Sequence, residues 1–420
     1  MLPQLLGALC IQCLPYTAYV LLSRGRGWRA RVLVGLGYAA LLQIALASDV
    51  DPLSAFVVPA FGLAYFALAA VPVYAAARAF GDTPPSRAVL LCAIGVVFIV
   101  LPTLLFPVPG AGNLAILGSE IALAAYSYCM EATRGGRATS LRECLFFLIV
   151  NPVLVFAERG TPIESPTARK RGALRSFLGI ASLALHHFLL VAGTRFGPIA
   201  YAPIAALRDP RGYARFMGHH LVRLIAGYAG HSGRASLDVG LMTLLGRDIP
   251  ERYRYPLLAK DPLEFWRRWN TYVGSWARRY VFTPSSLALQ RRLRGAPVPL
   301  LKALAIVLTF LAIGAWHDLV VVVRTGEANW GGMLVFALHA ALLITWLAAR
   351  QLAQRIRTPR ATGVMEAPRS EPRVPLAPAF AWLCFAHLMA LTAWIAVPGM
   401  SGTGLGPPLQ QLAALFSRTG

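Results

Sequence analysis

The chain has 420 residues, of which 57% are hydrophobic and only 14% charged, a balance that excludes an ordinary soluble domain of this length. Its formal net charge of +22 comes from 37 arginines and 3 lysines set against 18 acidic residues. These bases lie in short loops between apolar runs, the positive-inside pattern, rather than on one soluble face as a nucleic-acid binder would need. The expectation is an all-α, polytopic membrane protein with lipid as its surroundings, no nucleic-acid partner, and roughly 9–11 spans by length and hydropathy.

Residues 3–22 have no basic stretch before Leu5, so a retained first span is expected rather than a cleaved signal peptide. A basic loop (Arg24, Arg26, Arg29, Arg31) follows, then an apolar run over 32–47 and an acidic loop at Asp49 and Asp51. Further spans are expected near 53–77, 88–107 and 114–130, and the alternation of basic and base-free loops places the N-terminus outside. The parity then breaks. Residues 143–157 are short, interrupted by Asn151-Pro152 and flanked by basic loops on both sides, which reads as a re-entrant segment, with 143–164 lining a cavity. Residues 176–194 span, 196–230 are ambiguous, and 298–323, 330–349 and 378–397 span again. Arg350–Arg373 reads as a cytoplasmic linker and 407–416 as a last short helix. This gives one membrane domain over 1–420, with peripheral helices in 1–142, a core over about 143–350, and a C-terminal linker and helices in 351–420.

The six cysteines (10, 13, 92, 129, 144 and 384) read as small hydrophobes of the membrane core, without a disulfide framework or zinc site. His186-His187 and His219-His220 look like metal pairs. Neighbouring helical side chains diverge, however, and no carboxylate or cysteine set completes a site, so no metal is expected. Two places stand out. The block Asp261–Pro284, DPLEFWRRWNTYVGSWARRYVFTP, is dense in aromatics and arginine and has basic loops on both sides, so 263–283 is expected to dip in or lie at the cytoplasmic interface without crossing. Within it Phe265, Trp269, Tyr272 and Trp276 recur at helical spacing as one aromatic face, with Asn270 on the flank of Trp266, Val273, Gly274 and Ala277. Asp261 fits an N-cap and Pro262 the first turn. The other place is His317, an ionisable residue inside the apolar run after 298, where such residues are costly and usually functional.

The block resembles the membrane-bound O-acyltransferases, above all their bacterial branch of alginate O-acetylation and teichoic-acid D-alanylation. That branch carries P-x-x-F-W-R-R-W-H-x-S-L-S-x-W-x-R-D-Y and a distal W-H-G. Here the residues are Pro262, Phe265-Trp266-Arg267-Arg268-Trp269, Ser275-Trp276 and Arg278-Arg279-Tyr280, then Trp316-His317. The likeness reaches upstream through LMTLLGRDIPERYRYPLLAKDP and, more loosely, Phe147-Leu148, Asn151-Pro152 and Thr161-Pro162-Ile163. Two positions depart from the pattern. Asn270 stands for the branch's first histidine, as in eukaryotic branches that acylate sterols, diglycerides or secreted proteins, and Asp318 stands for the glycine.

The resemblance implies acyl transfer from a thioester, acyl-CoA or another carrier, to a hydroxyl, with no tightly bound cofactor. His317 is then the expected general base and Asn270 the donor to the oxyanion or a positioner of the acceptor. Trp266, Trp269, Arg267, Arg268 and Trp316 are expected to contact substrate. The arginines can meet coenzyme A phosphates or anchor the interface, and the sequence leaves both open. Asp318, about 100° round the helix from its neighbour, is expected to cap or to sit in a loop rather than orient the imidazole. The implied setting is a bacterial inner membrane. The implied acceptor is a cell-surface polysaccharide or an extracytoplasmic partner protein. The alternatives are a lipid or hydrophobic small molecule as acceptor, and a non-catalytic transport or scaffold protein on the same fold.

Overall fold

Only helices and closed barrels satisfy their own backbone in hydrocarbon, and each long apolar run within the described residues forms a helix. The computed structural model describes residues 52–79, 84–106, 112–132, 140–163, 165–194, 210–244, 246–328 and 330–357. The spans expected at 3–22, 32–47 and 378–397, the helix at 407–416, and Cys10, Cys13 and Cys384 lie outside them.

In chain order the helices are α1 (Pro52–Ala79), α2 (Pro84–Gly95), α3 (Leu101–Leu105), α4 (Gly112–Glu131), α5 (Leu141–Leu145), α6 (Pro166–Thr194) and α7 (Pro210–Leu244). They continue with α8 (Pro262–Arg268), α9 (Thr271–Ala277), α10 (Thr283–Arg292), α11 (Val298–Thr325) and α12 (Gly331–Arg357). Strand structure among the described residues is a two-residue antiparallel pair, Thr161 opposite Asp248 and Pro162 opposite Arg247. Among the described residues three stretches are long and apolar enough to cross a membrane, Ser86–Leu105, Val298–Thr325 and Gly331–Gln354, and Ala64–Arg78 is a shorter apolar helix. The protein is a polytopic, helical membrane protein.

Widened π-turns occupy Val96–Val100, Phe146–Val150 and Arg278–Phe282. Each ends two residues before a proline: Pro102, Pro152 and Pro284. Proline has no N–H to give and its ring crowds the carbonyl four residues back, so the preceding turn opens. At the first of them the side-chain hydroxyl of Tyr65 donates to Val97 O at 2.7 Å.

The chain divides into two units: 1–199 with 222–252 and 319–328, and 200–221 with 253–318 and 329–420. In the first, α1 and the α2–α3 rod pack on α4 around Phe66, Phe98, Tyr128 and Phe147, all essentially buried. The segment read as re-entrant is two five-residue helical pieces, Leu141–Leu145 and Phe146–Val150. Together they rise about 15 Å, half of a ~30 Å hydrocarbon core. The irregular backbone beyond is satisfied by protein. Asn151 Nδ2 donates to Arg159 O at 2.7 Å and its Oδ1 accepts from Val153 N at 3.2 Å. The Phe156 and Ala157 amides donate to Ser127 Oγ at 2.6 Å and Glu131 Oε2 at 2.9 Å.

The stretch read as ambiguous, 196–230, enters, from Pro210 on, a 35-residue helix, Pro210–Leu244. One expectation needs correction: the linker expected over Arg350–Arg373 is helical at its start, because α12 runs on to Arg357 through good helix formers. Cys92 faces outward on the apolar stretch Ser86–Leu105, and Cys129 and Cys144 are buried.

Candidate active site

The second unit holds every residue singled out for chemistry. Its first part begins at α8. Asp261 Oδ1 accepts from Glu264 N at 2.7 Å with Pro262 in the first turn, the cap anticipated from the sequence. Glu264 reaches back to the Lys260 amide at 2.8 Å and pairs with Arg268 one turn on. Arg268 also donates to Tyr255 O at 3.4 Å, which ties it to its own loop, while Arg267 is exposed.

The single aromatic helix expected across this block is instead two helices. Trp269 is extended (φ −79, ψ 128) and Asn270 is left-handed (φ 36, ψ 64), so the chain turns between α8 and α9. Asparagine is among the few L-residues that adopt this conformation readily, through its short polar side chain. Asn270 Oδ1 caps α9 by accepting from Val273 N at 3.4 Å. Helical spacing from Phe265 to Trp276 hid the break, because one residue in the left-handed region leaves no periodic mark. Phe265, Tyr272 and Trp276 are nonetheless buried, so both pieces bury the expected aromatics. Trp269 stacks on Phe265 (ring centroids 5.4 Å, 20°) and meets the edge of Tyr253 at 5.2 Å.

The other part is the α11–α12 pair. A Cβ on Gly314 would stand 2.8 Å from Met333 Cα, and one on Gly332 would stand 2.8 Å from Gly314 O. Only glycine permits this approach, one turn from His317. Asp318, 6% exposed, closes the joint: Oδ1 accepts from Gly332 N at 2.6 Å and Oδ2 from Met333 N at 2.9 Å. A carboxylate on the first amides of α12 also meets the positive end of that helix. Asp318 is therefore a cap, as expected.

His317 Nδ1 lies 2.8 Å from Ile313 O. A carbonyl oxygen only accepts, so Nδ1 carries the proton and the neutral ring presents a bare Nε2. The ring packs on Phe336 (centroids 5.0 Å). Phe336 in turn meets Trp266 at 5.7 Å, and Trp266 also touches Phe310 at 5.1 Å and His339 at 5.1 Å. Trp266 and His317 are thus brought against one phenyl ring, joining the arginine-rich block to the histidine helix. The indole nitrogens of Trp266 and Trp316 are both buried without a hydrogen-bond partner. Sequence reasoning missed His339, a second histidine buried in the apolar run of α12 (4% exposed). The signal that pointed to His317, a lone ionisable residue within a span, applied to it equally.

Elsewhere, His186 Nδ1 lies 2.7 Å from Ala226 O. The His186 and His187 rings meet edge to face at 5.3 Å. Among the described residues no group of three histidine, cysteine or acidic side chains is placed to hold a metal ion. The side chains of His219 and His220 lie outside the described ones.

No family model matches the chain. It is 28% identical over 220 residues to a probable alginate O-acetylase of Azotobacter vinelandii, covering 51% of this chain and 36% of that protein. It is 32% identical over 119 residues to a probable long-chain-alcohol O-fatty-acyltransferase of Arabidopsis thaliana, covering 28% and 34%. To a teichoic acid D-alanyltransferase of Bacillus subtilis it is 26% identical over 88 residues, covering 21% and 22%. The chain spans about a third of the length of the first two relatives.

Proposed function

We propose that this chain, which belongs to the membrane-bound O-acyltransferase family, moves a short acyl group, acetyl above all, from a cytoplasmic thioester to a hydroxyl of a cell-surface polysaccharide or of an extracytoplasmic partner protein. The observation that carries the reading is the hydrogen bond from His317 Nδ1 to Ile313 O, which leaves Nε2 as the basic nitrogen inside an apolar helix pair. In the reaction Nε2 takes the acceptor's hydroxyl proton while that oxygen bonds to the acyl carbon. The oxyanion then collapses, the C–S bond breaks, and the departing thiolate takes the proton back from the imidazolium. Because Asn270 Oδ1 is turned to the backbone of α9, the amide acts on the oxyanion or acceptor through Nδ2. Trp266, Trp269 and Trp316 shape the substrate's apolar surroundings. Arg267, which is exposed, suits the donor's phosphates better than Arg268, which is paired with Glu264. The membrane is a bacterial inner membrane with the N-terminus outside.

A second reading keeps the chemistry and makes the acceptor a lipid or hydrophobic alcohol. Asn270 in place of the bacterial branch's histidine favours it, as does the likeness to a long-chain-alcohol acyltransferase. Mass spectrometry of surface glycans and membrane lipids from cells with and without the protein tests both. Loss of glycan or protein esters supports the first reading and loss of a lipid ester the second. Unchanged esters throughout favour a non-catalytic membrane component.

A further inference from the structure

The mechanism above makes no use of His339. This residue sits in α12 with 4% of its surface exposed, and no hydrogen bond among the described residues involves it. Its ring meets the Trp266 indole edge to face, centroids 5.1 Å apart and planes at 90°. The indole Nε1 is buried without a partner. The indole N–H and the histidine ring therefore share one apolar surround. An N–H pointed into a ring face accounts for one of them at most. Buried polar groups are otherwise hydrogen-bonded in folded proteins, and each exception asks for an explanation.

The identity of the missing partner follows from the donors. An indole N–H can only donate, so its partner is an acceptor atom, while a histidine ring can donate from one nitrogen and accept at the other. The cage itself is Phe310, Phe336 and Trp266, which favours an uncharged group over a phosphate or carboxylate. Phe336 is also the ring on which His317 rests, so the pair lies one phenyl ring from the proposed base. A neutral, acceptor-bearing group required next to that base is the carbonyl of the acyl thioester. Building on the acyl-transfer reading, we infer that Trp266 Nε1 and His339 together hold the acyl carbonyl oxygen, which makes His339 a substrate-contacting residue of the site.

The test compares two unreactive probes bound to the full-length protein in lipid nanodiscs. One is acetyl-dethia-coenzyme A, in which methylene replaces sulfur so that the carbonyl keeps its place and cannot be transferred. The other is the S-ethyl thioether of coenzyme A, of similar size and without the carbonyl. Both are repeated on bare pantetheine, the arm that coenzyme A shares with acyl carrier proteins. The parent protein is expected to prefer the ketone by about tenfold on at least one scaffold, the worth of one buried hydrogen bond. His339→Leu and Trp266→Phe should each erase most of that preference, and His339→Gln, which keeps a donor and an acceptor, should retain most of it. If His339→Leu fails to fold, Trp266→Phe and His339→Gln still decide the matter. A parent protein without the preference overturns the inference, and so does a preference that survives both apolar substitutions. Binding is read without turnover. A parent that shows the preference but transfers no acyl group therefore overturns the transfer reading and leaves this contact standing.

Discussion

His317 is held by a pair of long helices, whereas Asn270 is held by a break between two short ones. On α11 and α12 the backbone is regular, and placement comes from outside the residue. Gly314 and Gly332 allow the helices to touch, Asp318 bolts the start of α12 to α11, and Phe336 supports the ring. At the α8–α9 junction placement comes from the residue's own backbone, a left-handed φ of 36°, and from its own side chain turned in to cap α9. The two devices engage different atoms. Backbone bonds hold Nδ1 of the histidine and Oδ1 of the asparagine, and in the proposed reaction the base is Nε2 and the donor Nδ2. The difference teaches that the first residue should tolerate no chemical substitute, while the second should answer separately to changes of backbone and of amide.

The largest effect is expected at the helix pair. His317→Ala should lower acyl transfer by ~10²–10⁴-fold, the usual worth of a general base, with the protein still monodisperse and helical by circular dichroism. Parent-rate transfer by the folded variant would remove the base assignment and bring forward the non-catalytic reading. At the break, Asn270→Ala should cost up to ~10²–10³-fold, in the manner of a lost oxyanion donor. Asn270→His should retain more than the alanine variant, because imidazole also donates. A larger loss from Asn270→His than from Asn270→Ala would refute the donor role.

Stability changes come next. Asp318→Ala strips the partner from two buried amides, Gly332 N and Met333 N. It should destabilise the protein by about 1–3 kcal/mol, read as an earlier midpoint in denaturant. Asp318→Asn should cost less, since one acceptor oxygen remains. Gly314→Ala, which puts a Cβ 2.8 Å from Met333 Cα, should cost a similar ~1–3 kcal/mol through forced separation of the helices. If neither change moves the midpoint, the α11–α12 joint does not hold the site as described. The smallest effect separates backbone from amide at the break. Asn270→Gly accepts the left-handed conformation and gives up the cap for only a few tenths of a kcal/mol, yet should lose transfer as Asn270→Ala does. Full transfer by the glycine variant would make Asn270 a turn residue alone.

Much of this arrangement could be read from the residues before any coordinates. Long apolar runs marked α1, α4, α11 and α12, and Asp261-Pro262 announced the start of α8. The angular offset between His317 and Asp318 implied a capping or loop role for the carboxylate rather than a hold on the imidazole, and it caps at Gly332 and Met333. What stayed hidden had physical causes. Aromatics continue at helical spacing through Trp269 and Asn270, and burial of Phe265, Tyr272 and Trp276 rewards that spacing on either side of the turn. The helix over 210–244 mixes histidine, arginine and glycine with its apolar residues, which blurs any single face. His339 lies in no motif and carried only the signal of an ionisable residue within a span; its contact with Trp266 sets it apart. The bond from His317 to Ile313 depends on a side-chain rotamer, which sequence spacing does not report.

The central claim is that His317 presents an unprotonated Nε2 because its Nδ1–H is given to Ile313 O. Nitrogen-15 magnetic resonance of histidine-labelled protein in lipid tests it directly, with the His317 signals assigned by their loss in His317→Gln. The account predicts, at neutral pH, a protonated Nδ1 and a bare, pyridine-like Nε2. A ring protonated at Nε2 alone, or at both nitrogens, would contradict it.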